Sequence, residues 1–480
     1  MVVPKDEVKH TLSAIDCLAV YRGVFDDHIM SCLREVLELA QADDPAVVRK
    51  FFSLFGTLFE LDRSSSLPGI NIFKNHLLNA ILVDENTFSL AAEKNEASSG
   101  CPDQLLIETV KNDLRLLQII FDFDLPRLAM RFDDTYSLNG LIPDPSNLES
   151  PAGSHTTGGS TEASGCQSRQ GESSYPYPQH YFTKREQIKK TLAASSNWSN
   201  NSAELQAFYR QTGSGRFGRY WAFRWNGRSS GYGLTGVADP DQIRLEDMVG
   251  YEDQKKQILL NTEQFICDLP ANNMLLYGDR GTGKSSTIKS LIHRFGHRGL
   301  RIIEITRHDL HFLPEITEII AKRAQKFIIF IDDLSFEEDE TEYKELKALL
   351  EGSIEKPPDN VLVYATSNRR NIVREYFSDR EPDEVGKQDT YQEKLSLADR
   401  FGIKLVYSVP TQDEYLDTVD EIAKKSGITM GKDELHELAL RWALWHNARS
   451  GRTARQFVDD LKGRLGLQSL ENRNKENRKI

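Results

Sequence analysis

Cysteine is scarce in this chain of 480 residues: Cys17, Cys32, Cys101, Cys166 and Cys267 are scattered, odd in number and form no C-x-x-C pair. That spacing argues against a disulfide framework or a thiolate zinc site and fits a reducing, cytoplasmic setting. No run approaches the roughly 18 consecutive apolar residues of a membrane-spanning helix, and Met1-Val-Val-Pro-Lys-Asp-Glu lacks a basic-then-apolar signal pattern, so no membrane contact is expected. Basic residues are outnumbered, with Lys+Arg 60 against Asp+Glu 72 and a formal charge of −12. The surface as a whole does not advertise a nucleic-acid binder, and any such contact must be local. No strand is followed by a G-x-S-x-G elbow, which removes the Ser/His/Asp hydrolase reading. His293 and His297 have helical i, i+4 spacing, but Gly296 interrupts them and no acidic third ligand is nearby. They read as surface or packing histidines, and His308 and His311 carry no better zinc reading.

The length leaves room for two or three domains. Apolar residues recur at three and four spacing in Leu33, Val36, Leu37, Ala40 and again in Leu105, Leu106, Val110, Leu114, Leu117, which predicts an all-helical N-terminal domain over 1–140. Between Pro151 and Tyr181 there is no Leu, Ile, Val, Met, Phe or Trp, while Gly, Ser and Thr crowd together. No core can be buried there, so 141–205 is expected to be a flexible linker and connecting segment. The stretch Phe208 to Tyr232 interleaves Arg210, Arg216, Arg219, Arg224 and Arg228 with Phe217, Tyr220, Trp221, Phe223 and Trp225. Such a mixture can stack bases and neutralise phosphates. So many large rings more often need burial, and packing onto the next domain is the preferred reading. Short apolar runs then alternate with helical stretches: Met274–Tyr277, Arg301–Ile305, Phe327–Ile331, Val361–Ala365 and Ile403–Tyr407. This predicts an α/β core over 206–410 built on a five-stranded parallel sheet. A helical lid is expected over 411–466 and a disordered charged tail over 467–480.

The run Gly278-Asp279-Arg280-Gly281-Thr282-Gly283-Lys284-Ser285, continued by Ser286, follows one of these strands and opens a helix. G-x-x-x-x-G-K-S in that context builds a phosphate cradle, because glycines let the backbone turn its N–H groups inward and the helix start adds unpaired donors. Lys284 is expected to reach the β- and γ-phosphates of ATP, and Ser285 to ligate Mg²⁺. Phe327-Ile328-Ile329-Phe330-Ile331 ends in Asp332-Asp333, which delivers carboxylates to the edge where ligands bind. Asp332 is assigned to Mg²⁺ and Asp333 to polarising the attacking water. A longer Glu would reach better than Asp333, so slow hydrolysis is expected; Glu337 and Glu338 are substitutes, though their acidic run reads better as a solvated face. Asn368, after the next strand, is placed to orient water against the γ-phosphate, its bland alternative being a turn residue. Arg400 precedes the last strand and suits an arginine finger aimed at a neighbour's nucleotide, or else an ion pair with Asp399. Arg455, and second to it Arg452, would touch the phosphates from the lid.

The ordered set Met274-Leu-Leu-Tyr-Gly-Asp-Arg-Gly-Thr-Gly-Lys-Ser-Ser, Phe330-Ile-Asp-Asp-Leu-Ser-Phe-Glu, Tyr364-Ala-Thr-Ser-Asn-Arg-Arg, Leu395-Ser-Leu-Ala-Asp-Arg-Phe-Gly and Ser450-Gly-Arg-Thr-Ala-Arg-Gln-Phe resembles the AAA+ ATPase superfamily. More narrowly it resembles a bacterial family of AAA+-like ATP-binding proteins classed as a domain of unknown function, over about 208–465. The resemblance implies Walker A, Walker B, sensor 1, arginine finger and sensor 2 at the positions above, with an adenine pocket near Gly250 and Tyr251. The resemblance supplies no client; the leading expectation is an ATPase that uses Mg·ATP binding and hydrolysis to change the shape of a homo-oligomer and remodel an unknown macromolecular client, a protein in the first instance. Two alternatives stand beside it: a slow or non-hydrolysing switch that recruits a partner through the N-terminal helices, and a DNA-associated loader.

Overall fold

The computed structural model describes residues 3–61, 70–94, 102–125, 127–128, 179–227, 233–334, 343–351, 357–368 and 397–477. They form two compact units, Met1–Arg219 and Tyr220–Ile480. The first is helical, as its periodicity predicts: Lys5–Asp16, His28–Ala42, Ala46–Leu61, Ile72–Val83 and Gln104–Asp122 lay Leu33, Val36, Leu37, Val110, Leu114 and Leu117 into one core. At about 1.5–3 kcal/mol for each fully buried large apolar side chain, that core dominates the unit's stability. One buried carboxylate locks it across a long sequence gap: Asp113 accepts from the N–H groups of Val20 (2.7 Å) and Tyr21 (2.9 Å), at the start of the 3-10 turn Tyr21–Asp26.

The expected linker ends earlier than its composition suggests. Gln179–Ala194 is a helix, and Tyr181, Ile188, Leu192, Trp198, Leu205, Phe208 and Tyr209 are all buried in the N-terminal core. The helix escapes a periodicity scan because Lys184, Arg185, Lys189 and Lys190 dilute its apolar face. Lys189 is fully buried, donating to Asn75 Oδ1 (2.9 Å) and Glu186 Oε1 (3.1 Å). The stretch 141–178 lies outside the described residues.

Asp84, which ends the helix Ile72–Val83, gives this unit a pH signature. Burial pushes its carboxyl up to about 6; the Asn86 amide bond (2.6 Å) opposes this, and Asp26 and Glu85 add to it. The carboxyl therefore binds its proton more tightly folded than unfolded. Its stabilisation is full below the unfolded value near 4 and is lost as pH rises through about 6. Discounted for partial exposure, the loss is about 1–2 kcal/mol. Asp84→Asn is expected to remove that part of the pH slope and to raise the midpoint of the N-terminal unit above pH 6, read by calorimetry of the full chain. An unchanged slope in the variant contradicts this.

The second unit carries a seven-stranded sheet in the order β2-β1-β4-β5-β6-β3-β7, made of β1 (Ala222–Trp225), β2 (Leu234–Gly236), β3 (Met274–Gly278), β4 (Leu300–Ile305), β5 (Lys326–Ile331), β6 (Val361–Ser367) and β7 (Ile403–Tyr407). All neighbours run parallel except β1 and β2. The five expected parallel strands are present, and the count of five is corrected by two more, β1 within the aromatic segment and β2 just after it. Phe223 and Trp225 alternate inward from β1 and are buried, whereas Arg224 points out and pairs with Glu304 (3.4 Å). Burial of these rings follows the packing reading; Arg228 and Tyr232 lie outside the described residues.

Phe327 to Ile331 are all buried, as expected of a parallel strand covered on both faces. Alternate residues along the strands, Met274, Leu276, Ile328, Phe330, Leu362, Tyr364, Leu405 and Tyr407, share one core with the helices Glu252–Ile266 and Lys284–Phe295. The lid is formed by Gln412–Lys425, Lys432–Trp445 and Gly451–Asn477, with Tyr415, Val419, Ala439, Ala454 and Val458 at its centre. The last helix continues through most of the segment expected to be a disordered tail. Residues 467–477 hold no proline and several good helix formers, so an established helix propagates through them. No helix among the described residues is long and apolar enough to cross a membrane.

Candidate functional site

The phosphate loop is shaped by three glycines with left-handed backbone, Gly278 (φ 136°), Gly281 (φ 78°) and Gly283 (φ 94°). A Cβ on Gly278 would stand 2.0 Å from the Tyr407 carbonyl oxygen, so the loop leaves β3 against the backbone of β7. Two bonds fix that seam: the Asp279 N–H donates to Tyr407 O (3.0 Å), and the Val409 N–H donates to Asp279 Oδ2 (3.1 Å). Thr282 Oγ1 donates to Asp279 O (2.8 Å) and closes the loop on itself. Lys284 opens the helix with Gly283 as its cap, where unpaired amides and the positive dipole end gather.

The ammonium of Lys284 folds back over the loop, donating to Gly278 O (2.9 Å), Asp279 O (2.6 Å) and Asn368 Oδ1 (3.2 Å). Burial pushes its pKa down, and the nearby charges of Asp279, Asp333 and Asp332 only partly offset that. The site therefore favours further negative charge at this cation, which a polyphosphate supplies.

Strand order brings the remaining residues together. Since β6 lies between β5 and β3, the carboxyl ends of all three strands meet beside the loop. Ser285 Oγ donates to Asp332 Oδ1 (2.6 Å), and Asn368 Nδ2 donates to Asp333 Oδ1 (2.6 Å). Asp333 has left-handed backbone (φ 52°), a strained conformation for a residue with a Cβ. Lys284, Asn368 and Asp333 thus form one chain of bonds, and Ser285 and Asp332 a second beside it. Among the described residues no group of three or more His, Cys, Asp or Glu side chains could hold a metal by itself. One hydroxyl and one carboxylate, Ser285 and Asp332, fit a Mg²⁺ ion that completes its shell with water and phosphate oxygens.

Gly250 (φ 81°) and Tyr251 (φ 58°) both adopt left-handed backbone just before the helix Glu252–Ile266. The Tyr251 ring lies 4.7 Å from that of Tyr407, and its hydroxyl donates to Ser408 O (2.6 Å), which brings this segment to the end of β7 beside the loop. From the lid, the Arg452 N–H approaches Gly281 O (3.4 Å), and Ser450 Oγ would stand 2.8 Å from a Cβ on Gly281. Arg455 lies one turn further on, near Asp247, whose carboxyl burial would push up but the Lys425 hydrogen bond, the Arg244 N–H and, least, the charge of Arg455 together hold below its ordinary value. Arg400 is at the foot of β7; Asp399 pairs with Lys404 (2.6 Å). Glu337 and Glu338 lie outside the described residues. His293 Nε2 lies 2.7 Å from the Asp241 carbonyl oxygen, a packing role.

Several participants carry no sequence signal of their own. Met248 leans on the loop, its Cε 2.6 Å from where a Cβ on Gly283 would be, and Lys255 donates to the Met248 carbonyl. Thr366 Oγ1 joins the carboxylate pair by donating to Asp332 Oδ1 (2.6 Å).

A parallel α/β core with a phosphate loop, acid and amide at adjoining strand ends, and a C-terminal helical lid defines the AAA+ P-loop ATPase fold. Within that class the chain belongs to the family described as protein of unknown function (DUF815), whose model matches residues 218–465. Among solved structures, the Holliday junction branch migration motor RuvB of Thermotoga maritima is similar at 16% identity and TM-score 0.34, over 47% of this chain and 66% of that one. The AAA domain of FIGL-1 in complex with ADP is similar at 18% identity and TM-score 0.31, over 46% and 73% of the two chains. At these scores neither likeness says what the chain acts on. No protein of curated function matches it.

Proposed function

We propose that the chain binds Mg·ATP, hydrolyses it slowly, and uses the difference between its ATP and ADP states to move the helical lid and neighbouring subunits of a homo-oligomer, remodelling a macromolecular client. The observation that carries this is the unbroken path Ser285–Asp332–Thr366–Asp333–Asn368–Lys284 beside the phosphate loop. Lys284 and the loop amides bind the phosphates. Ser285 and Asp332 would hold the ion, which would supply charge neutralisation at the phosphate oxygens. Asp333 accepts the proton of the attacking water, and Asn368 orients that water.

Coupling rests on the lid, whose last helix begins against Gly281 through Ser450 and Arg452, so that a filled loop and an empty one favour different lid positions. Arg455, or in second place Arg452, is the lid contact to the phosphates, Tyr251 and Gly250 line the base site, and Arg400 faces the nucleotide of a neighbouring subunit. One observation favours a holding role over rapid turnover: the short Asp333 side chain is engaged by Asn368 at 2.6 Å. Asp333→Glu is therefore expected to raise steady-state turnover by about tenfold or more, as a better-placed base contributes. Fluorescent-ADP binding measured alongside is expected to be unchanged. Wild-type protein that binds neither ATP nor ADP with magnesium refutes the proposal, and a variant no faster than wild type refutes the limiting role of Asp333.

A further inference from the structure

We infer that Thr366 is a positioning residue that sets both carboxylates of the Asp332-Asp333 pair, an inference resting on the nucleotide-site reading above. Thr366 is the sixth residue of β6, 2% exposed, and its hydroxyl is bonded in both directions. It donates to Asp332 Oδ1 at 2.6 Å and accepts the Asp333 N–H at 3.0 Å. Its own carbonyl accepts the Leu334 N–H at 2.7 Å, so one residue of the neighbouring strand holds three successive residues as they leave β5.

Asp332 Oδ1 takes two hydroxyl donors, Thr366 from β6 and Ser285 from the phosphate-loop helix. Two donors on one oxygen fix the plane of the carboxylate and bias which oxygen is offered elsewhere. Asp333 needs a different kind of help, since its left-handed backbone (φ 52°) is strained and persists only where surroundings over-determine it. The bond from its N–H to Thr366 supplies that constraint and turns the side chain toward Asn368, which it meets at 2.6 Å. Valine has nearly the same shape but neither donates nor accepts. Thr366→Val would free the Asp332 carboxylate and take from the Asp333 N–H the acceptor it has on β6. Thr366→Ser retains both bonds. A residue that merely filled the core would show the opposite order, with valine tolerated and serine leaving a small cavity.

The test compares wild type, Thr366→Val and Thr366→Ser in the full chain by three measurements. In the first, fluorescent ADP is titrated with EDTA present, then with increasing Mg²⁺. Thr366→Val is expected to keep the EDTA affinity, because the loop and Lys284 are untouched, while the half-saturating Mg²⁺ concentration rises about 10- to 100-fold, the usual effect of losing a partner behind a metal ligand. The second is turnover at saturating Mg·ATP, where kcat is expected to fall with KM little changed and Thr366→Ser to recover both. The third is amide hydrogen exchange over 332–334, which needs no nucleotide and is expected to quicken in Thr366→Val alone. Wild-type Mg²⁺ dependence and exchange in Thr366→Val, or equal defects in both variants, overturn the inference. Failure of the wild type to bind ADP in either condition overturns the nucleotide reading instead, and the exchange result then judges the positioning by itself. Should Thr366→Val not fold, Thr366→Ala, which also lacks the hydroxyl, is read by the same criteria.

Discussion

Lys284→Ala is expected to weaken nucleotide binding by about 10- to 100-fold and to reduce turnover by about 10³-fold. The ammonium now rests on neutral acceptors, Gly278 O, Asp279 O and Asn368 Oδ1, in a place where burial already pushes its pKa down. Phosphate oxygens would replace neutral acceptors with charged ones, and hydrogen bonds between charged groups contribute about 1.5–3 kcal/mol each. Charge developing on the transferred phosphoryl group raises the cation's worth further, and loss of a single preorganised donor costs about 10²–10³ in rate. Loss of the ammonium that donates to Asn368 Oδ1 at 3.2 Å also loosens Asn368 and, through it, Asp333. Titration with fluorescent ATP and a coupled phosphate-release assay measure both effects. An alanine variant with wild-type affinity and rate sinks the assignment of this lysine.

Gly278→Ala is expected to destabilise the second unit by about 3–5 kcal/mol and abolish nucleotide binding, because two penalties fall on one residue. Its φ of 136° suits glycine alone, and the added Cβ would stand 2.0 Å from Tyr407 O, 2.7 Å from Tyr407 C and 3.0 Å from Tyr407 N. Those are backbone atoms of a paired strand, in register with Gly278 itself, so no side-chain rotation relieves the clash. Gly250→Ala serves as the contrast: its φ is 81°, but nothing lies within 4 Å of the added atom. Only the left-handed penalty remains there, about 1–2 kcal/mol. Denaturant unfolding of the two variants separates the terms, and equal losses would show that the close approach to β7 is not rigid.

The five parallel strands were legible because a strand covered on both faces must be apolar throughout, and Phe327 to Ile331 is such a run. The phosphate loop was equally plain, since its glycines answer local backbone demands. The antiparallel edge was hidden because β1 and β2 are short and β1 alternates buried Phe223 and Trp225 with exposed Arg224, so arginine and aromatics read as a mixed surface. Gln179–Ala194 was obscured by a lysine that is buried rather than solvated, a fact set by Asn75, more than a hundred positions upstream. Met248, Lys255 and Thr366 act through contacts that only the folded chain creates, and nothing in their immediate neighbours marks them.

Because Tyr181, Leu192, Trp198, Phe208 and Tyr209 share a core with helices that precede residue 123, the N-terminal unit is assembled from two separated lengths of polypeptide. Dissection of the molecule must respect that weave. A piece begun at position 206 would carry Phe208 and Tyr209 away from their packing partners and leave both halves sticky, whereas a cut at the Arg219–Tyr220 junction keeps each set of partners together.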